Sequence, residues 1–265
     1  MTPSMPPLQE KTPLKEKLRR DGHAFGPMIF EFFTPGLPAI VAACGADFIL
    51  FDMEHTGLGF ETLKMLCAGC RGLGLAPLVR VPRGEYAFIA RALDVGAEGI
   101  MVPMVESRAE AERIAEAAHY PPRGRRGAGF GLAHDHYRPG SPSAKMADAA
   151  ARTLLIAQIE TERGLAAVED IAAAPGIDVL WVGHFDLTNF LGIPGAFDDP
   201  RYEAALGRVL AAARKEGKPA GFLVADENWA RAYWERGFRI LAYGQDHVLF
   251  QNALRAGLDA LRRLA

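Results

Sequence analysis

Leu154-Leu155-Ile156-Ala157-Gln158-Ile159-Glu160 and Val179-Leu180-Trp181-Val182-Gly183-His184-Phe185-Asp186 are two apolar runs that each end in a carboxylate. A short, continuous apolar run reads as a strand buried on both faces, as in a parallel sheet. Two acids just past the ends of neighbouring parallel strands face one mouth. Hard divalent cations take oxygen ligands, commonly one or two carboxylates, and leave other positions to substrate and water. Glu160 and Asp186 therefore read as a cation site. The plain alternative makes Glu160 an exposed loop acid and Asp186 the N-cap of a helix starting at Leu187.

The same texture recurs on either side. Strand-like runs occupy residues 26–32, 48–52, 77–81, 99–102, 154–159, 179–182, 219–224 and 239–242. Helical patterns fill 36–43, 60–73, 85–95, 108–118, 162–173, 202–216, 227–235 and 248–264, and a short charged helix covers 14–20. Strict alternation of this kind predicts a parallel sheet, because each helix must return the chain to the edge where the next strand starts. Eight such units predict an α/β fold closed as a (β/α)8 TIM barrel. An open doubly wound sheet is the other solution, but no G-x-G-x-x-G follows the first strand. Residues 1–12 read as a flexible Pro-rich tail and 13–265 as one barrel domain. Two stretches break the rhythm, 120–147 and 188–200, and both are expected at the C-terminal face, where barrel active sites sit.

The 265 residues suit one large domain, and the net charge of −2 leaves no footprint for nucleic acid. The basic cluster Arg123-Gly124-Arg125-Arg126 has no aromatic platform around it, so it reads as a loop anchor or an anion contact. No apolar run approaches the ~18 residues of a membrane span. Cys67 and Cys70 form a C-x-x-C inside an apolar helical stretch, without a second pair at zinc spacing. They read as small core residues, and a reducing cytoplasm is the expected setting.

Other strand ends carry chemistry. Asp52-Met53-Glu54-His55 ends the second strand. His55 is a candidate for acid–base work near neutral pH, or else simply caps the turn. Asp52 and Glu54 are expected to divide between the interior and the helices. Arg80, within Leu78-Val79-Arg80-Val81, is costly to bury without an anion. That anion is either a substrate oxygen or an internal carboxylate such as Asp52. Asp94 stands near a helix C-terminus, where an acid is unfavourable, and so is held there for another reason, such as orienting a histidine.

In this order, Asp52-Met53-Glu54-His55, Val79-Arg80, Leu93-Asp94-Val95-Gly96-Ala97, Val102-Pro103-Met104-Val105, Tyr120-Pro121-Pro122 with Arg125-Arg126-Gly127, Gln158-Ile159-Glu160-Thr161 and Gly183 through Leu187 resemble one family. It is the metal-dependent HpcH/HpaI class II pyruvate aldolases, relatives of the phosphoenolpyruvate/pyruvate-binding barrels. The likeness runs from about residue 25 onward. It implies reversible cleavage of a 4-hydroxy-2-oxo acid to pyruvate, or a close 2-oxo acid, and an aldehyde. It implies Glu160 and Asp186 as ligands of Mg²⁺ or Mn²⁺, with Co²⁺ or Zn²⁺ as substitutes, and no organic cofactor. Gln158 would support the metal site, and Arg80 would stabilise the keto oxygen and the enolate. His55, oriented by Asp94, would be the acid–base element, and the backbone amides of Phe185 and Asp186 would hold the substrate carboxylate. The resemblance also implies a homo-oligomer, a hexamer built as a trimer of dimers that exchange their last helix.

The chemistry agrees with that assignment. Breaking a carbon–carbon bond beside a ketone requires a stabilised enolate, which a chelated cation or a Schiff-base lysine can supply. None of the strand ends carries a lysine. Where relatives have Gly-Pro-Ala or Gly-Pro-Ser before the metal aspartate, this chain has Gly183-His184-Phe185. His184 thus enters as a possible rival ligand, and Phe185 as a residue that narrows the pocket. A citryl- or malyl-CoA-type lyase, or a barrel that binds a 2-oxo acid and metal without turnover, are the competing readings.

Overall fold

The computed structural model describes residues 12–264. Residues 1–11 of the expected tail lie outside the described residues. Eight strands, β1 (Ala24–Ile29), β2 (Phe48–Asp52), β3 (Ala76–Arg80), β4 (Gly99–Val102), β5 (Leu154–Ile159), β6 (Val179–Val182), β7 (Ala220–Val224) and β8 (Ile240–Gln245), pair in parallel and in chain order. The ring closes where β1 meets β8, with Ala24 opposite Ile240. Helices α1 (Leu14–Asp21), α2 (Leu37–Ala43), α3 (Phe60–Gly69), α4 (Tyr86–Asp94), α5 (Arg108–Ala118), α6 (Pro142–Arg152), α7 (Glu162–Ala166), α8 (Val168–Ala172), α9 (His184–Phe190), α10 (Pro200–Lys215), α11 (Glu227–Arg236) and α12 (Asp246–Arg262) complete the (β/α)8 barrel.

Strand parity divides the core in two. Successive side chains on a strand point to opposite faces. Phe48, Leu50, Leu78, Met101, Leu154, Ile156, Val179 and Trp181 pack together inside the ring. Ile49, Phe51, Val79, Ile100, Leu155, Ala157, Leu180 and Val182 pack outward against the helices. Leu14 and Leu18 of α1 join the inner group and plug the end where the strands begin. Continuing each inward series to the other end places Asp52, Arg80, Gln158, Glu160 and Gly183 on the inner face. Parity alone therefore collects the polar groups at the C-terminal mouth.

The structure corrects several expectations. β1 stops at Ile29 rather than at residue 32. The backbone N–H groups of Phe30, Glu31 and Phe32 turn away to donate to the Asp246 carboxylate at 2.9, 3.0 and 2.6 Å. The 162–173 helix is broken at Ala167 into α7 and α8. The 120–147 stretch contains α6, which begins with a Ser141 cap and Pro142 in its first turn. That stretch also lies at the opposite face from the one expected. It follows α5, which carries the chain back toward the strand starts, and Arg71 beyond the end of α3 donates to Ala133 O at 3.0 Å. The 188–200 stretch begins within the short helix α9 directly after β6 and runs on to α10, so it does lie at the C-terminal face. Cys67 and Cys70 are buried in the outer core and form no disulfide. Among the described residues, no helix is long and apolar enough to cross a membrane.

The Trp181 indole fills the space in which a β-carbon on Gly221, its partner on β7, would stand. Overpacking a tight interior costs roughly 1–3 kcal/mol. Gly221→Ala is expected to lower the urea unfolding midpoint accordingly; an unchanged midpoint would show that the indole has room to move.

Candidate active site

The mouth is built from strand ends. Arg80 at the end of β3 donates through Nε to Asp52 Oδ1 at 2.7 Å and lies 3.2 Å from Glu54 Oε2. The buried arginine thus has an internal carboxylate partner, one of the two readings its sequence left open. Asp52 and Glu54 do not divide between two faces. They are two residues apart, share a parity and converge on the same guanidinium. The Asp52 carboxylate also accepts the N–H groups of Glu54 and His55 at 3.1 and 3.0 Å, which fixes the turn that presents His55. His55 is more than half exposed, with Nε2 3.5 Å from Glu54 Oε2.

Glu160 is only 1% exposed, so it is not a loop acid. Its Oε1 accepts Met104 N–H at 2.7 Å, and its Oε2 is hydrogen-bonded by Gln158 Nε2. Met104 holds φ at 52°, a left-handed conformation uncommon for a bulky side chain. The bond to Glu160 helps to keep it there. Gly183 sits against Glu160 and Gln158 so closely that a β-carbon would collide with both. Asp186 is the third residue of α9, whose N-cap is Gly183, so Asp186 is not itself the cap. Phe185 stands beside it at the rim, 60% exposed.

Electrostatics tie these groups together. Burial raises the Glu160 carboxyl to about 7, opposed by its two hydrogen bonds and reinforced by Glu54 and Asp186. Burial likewise raises Glu54 to about 7, with Arg80 pulling it down and Asp52 and Asp186 pushing it up. Four carboxylates therefore gather here, Asp52, Glu54, Glu160 and Asp186, with Arg80 paired to the first two. Glu54 Oε2 and Gln158 Oε1 are buried without a hydrogen-bond partner. A cradle of carboxylate and amide oxygens, with Gln158 Oε1 left without a donor, has the oxygen chemistry that a hard divalent cation takes. Among the described residues no group of three or more His, Cys, Asp or Glu side chains is arranged to hold a metal.

Two expected roles are not met by contacts within one chain. Asp94 ends α4 at the face where the strands begin, and its Oδ1 lies 2.6 Å from Arg126 Nη2. His55 follows β2 at the other face, so within one chain Asp94 does not orient it; the acid near the helix end is explained by Arg126. His184 is buried in an aromatic box, stacked on Phe222 at 4.9 Å and edge-on to Trp229 at 5.5 Å. Burial alone depresses it to about 4, as its aromatic surroundings imply, so it packs as a core residue. Three residues were absent from the sequence-derived set of site residues. Glu54 was legible from its parity with Asp52, and Gly183 as the inward position two after Trp181; nothing in the sequence marked the Met104 N–H.

Residues 30–253 match the model of the HpcH/HpaI aldolase/citrate lyase family. The chain belongs to that family, a family of carbon–carbon lyases built on this barrel. It is 34% identical over 250 residues to a hydroxypyruvate/pyruvate aldolase of Delftia acidovorans, covering 94% of this chain and 92% of the relative. It is 39% identical over 246 residues to a 4-hydroxy-2-oxovalerate aldolase of Novosphingobium aromaticivorans, covering 90% of each. A crystal structure of an HpcH/HpaI aldolase from Desulfitobacterium hafniense superposes with a TM-score of 0.90 at 30% identity, over 95% of this chain and 97% of that one.

A carboxyl whose folded pKa is raised favours folding while it is protonated, and that contribution is lost as pH climbs through the raised value. Glu160 and Glu54 both rise from 4.5 to about 7. Metal-free protein is therefore expected to lose stability between about pH 5 and pH 8, and Glu160→Gln to flatten that slope. Thermal melts of both proteins across this range check it; identical slopes would remove Glu160 from the titrating cluster.

Proposed function

We propose that the chain is a divalent-metal-dependent aldolase. It reversibly cleaves a 4-hydroxy-2-oxo acid to pyruvate, or a close 2-oxo acid, and an aldehyde. The carrying observation is the sunken cluster of Glu54, Glu160 and Asp186 around one arginine at the barrel mouth. Glu160 and Asp186 would hold the cation, Mg²⁺ or Mn²⁺ by their oxygen chemistry, with Co²⁺ or Zn²⁺ as substitutes. Bound there, it would supply a Lewis acid to the oxygens of the 2-oxo acid.

The protein groups do the rest. Arg80 reaches both carboxylates through Nε, and its Nη groups would serve the keto oxygen and the charge that builds on it. The N–H groups of Phe185 and Asp186 lie in the first turn of α9, without intrahelical acceptors, and suit the substrate carboxylate. Gln158 holds Glu160 in place. In the cleavage direction a base takes the 4-hydroxyl proton, the C3–C4 bond breaks, and C4 leaves as the aldehyde. The electron pair becomes the enolate of pyruvate, which takes a proton at C3. His55, exposed beside Glu54, would carry these protons together with a bound water.

The same reading includes a homo-oligomer. Phe250, Leu254, Leu258 and Leu261 are 40–62% exposed and line one stripe of α12. Another copy covering that stripe, in a hexamer built as a trimer of dimers that exchange α12, would bury it. Buried cysteines without a disulfide suit a reducing cytoplasm.

With Mn²⁺ or Mg²⁺ the protein is expected to exchange the methyl protons of pyruvate in D₂O and to release pyruvate from 4-hydroxy-2-oxo acids. Turnover confined to CoA thioesters, or metal-dependent binding without exchange, would replace the proposal. Glu160→Ala is expected to abolish activity through loss of the metal, read by calorimetric titration; full activity would refute the ligand assignment. His55→Ala should retain the metal but lose about 10²–10⁴-fold in rate. Leu254→Glu with Leu258→Glu should reduce the mass measured by light scattering if α12 mediates assembly.

A further inference from the structure

We propose that the aldehyde taken at this mouth carries an apolar substituent, aliphatic or aromatic, and that Phe185 selects for it. This rests on the aldolase reading above and specifies its second substrate.

Each of the two carboxylates assigned to the cation is flanked by an exposed apolar side chain. Met104, whose N–H holds Glu160, is 44% exposed after β4. Phe185, adjacent to Asp186 in the chain, is 60% exposed after β6. The Phe30 ring, after β1, lies 5.7 Å from the Arg80 guanidinium. Phe185 is braced from behind, with its ring 4.5 Å from His184 and 5.4 Å from Phe197. His184 is in turn stacked on Phe222. A large aromatic held this way at a rim presents a fixed apolar face.

Charge points the same way. Arg80 is the cation acting on Glu54, and it is already engaged by Asp52 and by Glu54. Its remaining donors are assigned to the 2-oxo acid. An aldehyde ending in a carboxylate would bring a further negative charge to this cluster of acids, and a charge is expensive to desolvate. An alkyl or aryl tail instead buries apolar area on Phe185 and Met104.

The test measures kcat/KM for pyruvate addition to hexanal, benzaldehyde and glyoxylate, with Mn²⁺, by wild-type enzyme and by Phe185→Ser and Phe185→Leu. Wild type is expected to favour the apolar aldehydes over glyoxylate by about tenfold or more, the scale of discrimination by apolar pockets. Phe185→Ser should reduce that preference by about tenfold, and Phe185→Leu should restore most of it. A wild-type preference for glyoxylate, or a ratio that Phe185→Ser leaves unchanged, would overturn the assignment. Exchange of pyruvate's methyl protons by wild-type enzyme is read alongside. If exchange occurs while glyoxylate is preferred, only the acceptor assignment falls; without exchange, both fall.

Discussion

The site depends on carboxylates held out of water with too little positive charge around them. Glu160 is almost wholly buried, and Glu54 and Asp186 stand near enough to raise its affinity for protons. Arg80 offsets part of this and is shared between two acids. A folded protein rarely leaves such charge unbalanced unless something binds there. Much else around the mouth serves to keep that cluster in place. Gly183 makes room for Glu160, the backbone at Met104 bends into a left-handed conformation to bond it, and Gln158 steadies the other oxygen.

The barrel provides this arrangement at little extra cost. Strand parity that packs Leu50, Leu78, Ile156 and Trp181 into the ring also aims Asp52, Arg80, Gln158 and Gly183 into the mouth. One alternation therefore builds both the core and the site. The two ends of the ring have different tasks. α1 seals the end where the strands begin with Leu14 and Leu18, while the other end stays polar and open. Asp246 then ties the chain leaving β1 to the start of the last helix through three N–H bonds, a junction that also sets where Phe30 stands.

His184 and Asp94 show how the same residue type changes meaning with its surroundings. A histidine two residues from a proposed metal ligand looks like chemistry, yet aromatic rings strip it of water and keep it neutral. An acid at a helix C-terminus looks like a histidine's partner, yet an arginine from a distant loop explains it. By contrast, Phe185 looked like an intrusion and stands instead at the rim with most of its surface free.

The alternation of strands and helices, the barrel class and the gathering of Arg80, Gln158 and Glu160 at strand ends were legible in the sequence. Alternating apolar runs encode local structure directly, and acids or arginines at strand ends stand out against an apolar background. What only the folded chain decided was contact between segments far apart in sequence. Arg126 claims Asp94, Met104 bonds Glu160, Arg71 holds the loop before α6, and Phe222 encloses His184. Such pairings depend on which face of the ring each loop reaches and on how deeply each group is buried, and neither is written in local periodicity.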